Sequence, residues 1–249
     1  MELTASYEKM LEKLNAEIWD FAELKFNEVK SAAAMTELLE KEGFRVTRGL
    51  AHMPTAYMAE YGSGKPVIAI LAEYDALSGL SQQAGVTTEC AREGTNNGHG
   101  CGHCLLGTAA VGAGLLLRDY LKDKPGKGTV RVYGCPAEEG GSGKTYMARE
   151  GVFDDVDAAL TWHPGTQNEI MTGSNQANIQ AAFTFKGRLP TRLGLLKTGA
   201  APWMLWNLWT WGSTICGSIW RIMTGSTTPF WIPEGFLPTW YKPMPRCCT

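Results

Sequence analysis

Between residues 4 and 27, Leu11, Leu14, Ile18, Phe21 and Leu24 recur at three- and four-residue steps, with Glu and Lys between them. That period lines apolar side chains along one face of a helix. A second helix is predicted over "SAAAMTELLEKEG", with Ser31 as its N-cap and Gly43 as its stop. "TAYMAEYGSG" predicts a strand running into a glycine turn. "KPVIAILAEYDAL" contains the near-continuous apolar run of a strand buried on both faces. A polar, glycine-bearing loop is expected over 78–100. Beyond it, "LLGTAAVGAGLLLRDYL" predicts an apolar helix, "GTVRVYGC" a buried strand and "KTYMAREG" a short helix. "DAALTW" predicts a third core strand, and "NIQAAFTFKG" begins a fourth. Strand and helix alternate, so the expected fold class over residues 1–188 is α/β.

Composition changes this picture at one end. The 249 residues are 44% hydrophobic and 19% charged, enough apolar material for a sizeable core. A formal net charge of −2 gives no electrostatic case for nucleic acid or an anionic membrane as partner. Glu2, Glu8, Lys9 and Glu12 interrupt any apolar leader, so a cytoplasmic protein is expected. The seven cysteines are then expected as thiols or metal ligands rather than disulfides. From Leu189 onward, however, the chain holds seven of its nine tryptophans and a single acidic residue, Glu234. Two compositions share one chain.

In α/β sheets, sites form on loops beyond the carboxyl ends of strands. Those loops here carry Glu73 and Asp75, then Glu138 and Glu139, then His163, and "GHGCGHC" at 98–104 adds Cys101 and His103. Thiolate, imidazole and carboxylate are the ligand set of zinc and its borderline neighbours. Of two adjacent glutamates, one can bind metal while the other faces substrate as a base. Taken singly, each piece has a plainer explanation: a loop histidine is usually hydrogen-bonded, and a Glu-Glu pair is usually solvated. Cys101-x-x-Cys104 could be a redox pair, but a thioredoxin-like motif follows the first strand and is not flanked by histidines. Cys104 opens the apolar helix, where a buried thiol is expected. "GSGKT" at 141–145 mimics a phosphate loop, yet the glycine required five places before Gly143 is Glu138.

"LAEYDALSGLSQ", "NNGHGCGHCLLGTAA", "GTVRVYGCPAEEGGSGK" and "DAALTWHPG" together resemble the aminoacylase and carboxypeptidase group of metal-dependent amidohydrolases. The likeness runs from about Trp19 to Arg188, with four motifs in order. It implies a partial zinc-exopeptidase-like catalytic domain, a mixed sheet flanked by helices. It further implies two divalent ions, zinc or manganese, with Cys101, His103, Glu139 and His163 as metal ligands. Glu138 would be the general base and Asp75 a carboxylate orienting a ligand. The implied reaction is hydrolysis of an amide bond of an N-acyl amino acid such as aminobenzoyl-glutamate. A dipeptidase is the nearest rival, and a non-enzymatic metal-binding fragment using Cys101 and Cys104 is another. The implied assembly is a homodimer or heteromer through a small lid domain. Cys104 stands where this group usually has Asn or Asp, and Ser78 where it often has Pro.

After Arg188 the likeness stops where the lid domain should begin. The uncharged run Thr198–Trp220 is about as long as a membrane helix, but Pro190, Pro202 and its glycines make a poor span. A missing G before the Leu189 codon accounts for the tail better. In the restored frame Trp203-Met204 must give Asp, Trp206-Asn207 Glu, Trp209-Thr210 Asp and Trp211-Gly212 Gly, in the order this family shows. Residues 189–249 are therefore expected to be a frameshifted, irregular tail in place of the lid domain, without a selected core face. The lid histidine would be replaced at Thr191 and a distal metal ligand would be absent, so the chain as written is expected to be inactive.

Overall fold

The computed structural model describes residues 4–170. The strand predicted at "NIQAAFTFKG" and the tail from Leu189 lie outside them. The chain opens with helices α1 (Ala5–Phe21) and α2 (Val29–Lys41), then strands β1 (Arg45–Arg48), β2 (Tyr57–Ser63) and β3 (Val67–Ala72). Two short strands, β4 (Leu77–Ser78) and β5 (Asn97–Gly98), pair across the long polar loop. Helix α3 (His103–Leu121), strand β6 (Gly128–Gly134), an irregular turn α4 (Glu138–Gly141), helix α5 (Gly143–Arg149) and strand β7 (Ala158–Leu160) follow. The main sheet has the order β1-β2-β6-β3-β7. β1 and β2, and β2 and β6, are antiparallel, whereas β3 runs parallel to both β6 and β7. The fold is mixed α/β, as the alternation of periods predicts.

Period-two alternation divides β3 between two cores. Ile70 and Ala72 face a large cluster with Leu14 and Ile18 of α1, Met35 and Leu39 of α2, and Val111 and Leu115 of α3. Ala69 faces the other side, with Tyr133, Cys135 and Met147. Covered on both faces, this strand has no need for polar positions. Helix α3 owes its apolar composition to the same burial, since Leu106, Ala110, Val111 and Leu115 are all enclosed.

Three local expectations are corrected. Helix α1 ends at Phe21 rather than near 27, because Ala22 takes a left-handed conformation (φ 42°, ψ 49°). Leu24 leaves the helical face and forms a bridge to Ala76 instead. Ser31 is not an N-cap but sits in the first turn of α2. The cap comes from afar: Glu23 Oε2 accepts the Ser31 amide and hydroxyl, each at 2.9 Å, and Oε1 accepts the Lys30 amide at 3.0 Å. A carboxylate on these free amides satisfies them and opposes the helix dipole. Gly43 does stop α2, with Phe44 N–H donating to Leu39 carbonyl at 3.0 Å in a Schellman arrangement. Finally, β7 is an edge strand among the described residues, its three side chains exposed, not a core strand.

Helix α3 lies close against β3 because Gly107 has no side chain. A Cβ there would stand 2.6 Å from the Glu73 carbonyl oxygen. Gly107→Ala is expected to lower unfolding stability by about 1–3 kcal/mol, the usual range for overpacking. A urea or thermal midpoint equal to that of the wild type would show that the helix can move away freely.

Candidate metal centre

Because β3, β6 and β7 are parallel, their carboxyl ends open at one edge of the sheet. Glu73 and Asp75 leave β3 on one side, while Tyr74 between them turns into the core and donates to Thr55 carbonyl. Glu138 and Glu139 follow β6, and His163 follows β7. The fourth contribution is the start of α3. Gly102, at φ 78°, turns the chain so that His103 occupies the first helical position, fully buried.

The centre is built around the His103 ring. Its Nδ1–H donates to Asp75 Oδ1 at 2.9 Å and also faces the Asp75 carbonyl at 3.1 Å. A ring fixed this way presents Nε2 on the opposite side. Nε2 lies 3.2 Å from Glu73 Oε2, 3.8 Å from Glu138 Oε2 and 4.0 Å from Glu139 Oε1. None of these approaches is an aligned hydrogen bond. His103 Nε2, Glu73 Oε2 and Glu139 Oε1 are all buried without a partner among the described residues. Unpaired buried polar atoms are rare in proteins and call for a reason. A cation among them would supply one.

A second grouping shares the same histidine: Cys101, His103 and His163 have donor atoms within 4.8 Å of one another. Cys101 Sγ is 3.1 Å from His163 Nε2, while His163 Nδ1–H donates to Pro164 carbonyl at 2.9 Å. Both histidines thus use one nitrogen as a donor and turn the other toward the cluster.

The local field is strongly negative. Burial lowers the pKa of His103, but the Asp75 bond and the charges of Asp75, Glu73 and Glu139 outweigh it, so the net shift is upward. The Cys101 thiol is pushed up to about 11 by burial, with Glu139, Glu138 and Glu73 adding to the effect. Burial, then the Glu73 charge, also raises the Glu138 carboxyl. Every shift disfavours further negative charge, and a divalent cation would relieve all three at once. With thiol, imidazole and carboxylate donors, the residues present fit such an ion.

All six residues expected from sequence come together here: Asp75, Cys101, His103, Glu138, Glu139 and His163. Cys104 does not join them; it is buried in the main core and is a free thiol. Two residues without an expected role belong to the site. Glu73 directs one oxygen at His103 Nε2, and its other oxygen pairs with Lys144 of α5. The position of Glu73 directly after a strand was visible in the sequence. Lys144 stood out only within the discarded phosphate-loop mimic "GSGKT", because only the fold carries α5 back to β3.

The description "Peptidase family M20/M25/M40" matches residues 69–205, a span that includes all six residues and continues past Arg188. One of the subunits of the p-aminobenzoyl-glutamate hydrolase of Escherichia coli (strain K12) is 55% identical over 171 residues, covering 69% of this chain and 36% of the relative. The Xaa-Arg dipeptidase of Mus musculus is 31% identical over 167 residues, covering 62% and 35% respectively. The chain thus spans about a third of the length of these curated relatives. Among solved structures, the YXEP protein of Bacillus subtilis, a dinuclear metal-binding peptidase, matches with a TM-score of 0.51 at 27% identity. That match covers 61% of this chain and 42% of that one. With the strand-end donors inside a match that takes in more than half of its length, this chain belongs to peptidase family M20/M25/M40.

Proposed function

We propose that the chain is the amino-terminal part of a metal-dependent amidohydrolase that cleaves the amide bond of an N-acyl amino acid such as aminobenzoyl-glutamate. The observation that carries this is the convergence of buried, unpaired His103 Nε2, Glu73 Oε2 and Glu139 Oε1 beside Cys101 and His163. The name of the Escherichia coli relative supports the substrate class. Cys101, His103, Glu139 and His163 would hold two divalent cations, zinc or manganese. Bound there, the ions would lower the pKa of a water toward about 7 and polarise the amide carbonyl.

The rest is the work of the side chains. Asp75 fixes the His103 tautomer and keeps Nε2 available. Glu138, the most accessible carboxylate of the group, takes the proton of the attacking water and returns it to the leaving amine. Lys144 occupies one Glu73 oxygen and so limits the negative charge beside Glu138.

A dipeptidase is the second reading, favoured by the likeness to the Mus musculus enzyme. A panel of acyl-glutamates against dipeptides separates the two. We further assign residues 1–188 to the catalytic domain and residues 189–249 to a frameshifted tail in place of the lid domain. That the Escherichia coli relative is named as one subunit of its enzyme supports assembly with another chain, as homodimer or heteromer. The free thiols Cys90, Cys101, Cys104 and Cys135 suit a reducing compartment, and the cytoplasm is the proposed location.

Metal uptake gives a direct test. A thiol held near 11 must lose its proton to become a ligand, so binding should release that proton at any lower pH. Zinc affinity should therefore rise by about tenfold per pH unit for each proton released. Titration in buffers of different ionisation enthalpy should show about one proton fewer for Cys101→Ser than for wild type at pH 8. Equal proton counts would remove Cys101 from the ligand set.

A further inference from the structure

We propose that Glu28 is a positioning residue for the Glu138–Glu139 pair, acting through the backbone of Ala137; this rests on the metal-centre reading above. Glu28 is fully buried, and that burial raises its carboxyl pKa. A carboxylate in that position is costly unless its oxygens are well used. Both are. Oε1 accepts the Ala137 amide at 2.7 Å, and Oε2 accepts the Thr55 hydroxyl at 3.1 Å.

What Glu28 holds is an unusual piece of backbone. Ala137 has φ 56° and ψ 46°, a left-handed conformation that an alanine rarely adopts unaided. This turn redirects the chain after β6 so that the next two side chains reach His103. A second fastener lies two residues on, where the Glu139 amide donates to Asp75 Oδ2 at 2.8 Å. Glu138 therefore sits between two pinned amides, one held by Glu28 and the other by the carboxylate that orients His103. The Glu28 pin comes from the segment between α1 and α2, so the aim of the base depends on the amino-terminal helices.

The role requires an acceptor at the right reach, not a negative charge. Glu28→Gln keeps an oxygen for the Ala137 amide and an amide donor for Thr55. Glu28→Asp keeps the charge but falls one methylene short. In the full 249-residue chain without metal, amide exchange read by NMR should show Ala137 and Glu139 protected in Glu28→Gln. In Glu28→Asp both should lose protection, with the amides of β3 and α3 unchanged. Cobalt(II) titration should then give affinity within about threefold of wild type for Gln and a loss of about 10–100-fold for Asp, the usual range for such outer partners. The reverse order, or equal protection at both amides in the two variants, would overturn the proposal. If wild type binds no cobalt, the metal-centre reading fails, and the exchange comparison alone decides the role of Glu28.

Discussion

Glu138→Gln should lower turnover of an acyl-glutamate by about 10² to 10⁴ while leaving metal content unchanged, because a positioned general base contributes a factor of that order. The experiment is best made in a hybrid where residues 1–188 of this chain replace the matching part of the Escherichia coli relative. Glutamine preserves the shape of Glu138 but cannot take a proton. Its side chain is 42% exposed, so the substitution leaves no buried group stranded. Glu139→Ala should behave differently. Its Oε1 is buried and faces His103, so its loss should show first as lost metal, with activity following. If both variants kept metal and full turnover, the two roles would be wrong.

The second large effect concerns residues 189–249. Purified as written, the chain should show no measurable amidase activity, and its tryptophan-rich end should make it poorly soluble. One G added before the Leu189 codon, with translation to the next stop, should yield a longer protein that takes up two metal ions and cleaves an acyl-glutamate. The forced codons at Trp203, Trp206, Trp209 and Trp211 motivate this. Robust, chelator-sensitive hydrolysis by the 249-residue chain would refute it. So would a gene sequence with no open frame continuing past Arg188.

Elements with a strong period were legible in the sequence. Helix α3 and strands β2, β3 and β6 stand close to where their apolar patterns put them. Strand β1 was not foreseen, because "RVTR" at the sheet margin buries almost nothing and carries no alternating signal. The N-terminus of α2 misled for a different reason. Ser31 has the chemistry of a cap, but the carboxylate of Glu23 from the preceding loop takes that role. The centre followed the same division. Its six expected residues drew notice as metal-binding side-chain types after strands and in "GHGCGHC", and their expected roles came from the family resemblance. Glu28 was missed because its contribution lies in contacts with Ala137 and Thr55, 109 and 27 residues away in sequence. Local pattern carries no record of such pairings.

The proposed metal centre has Cys101, His103, Glu139 and His163 as joint ligands at the carboxyl edge of the sheet. The measurement that addresses it most directly is the anomalous-scattering map of a crystal grown with zinc. Peaks are expected within about 2.0–2.3 Å of Cys101 Sγ, His103 Nε2, a Glu139 carboxylate oxygen and His163 Nε2. Zinc held instead by the thiols of Cys101 and Cys104, with His103 and Glu139 unligated, would contradict it.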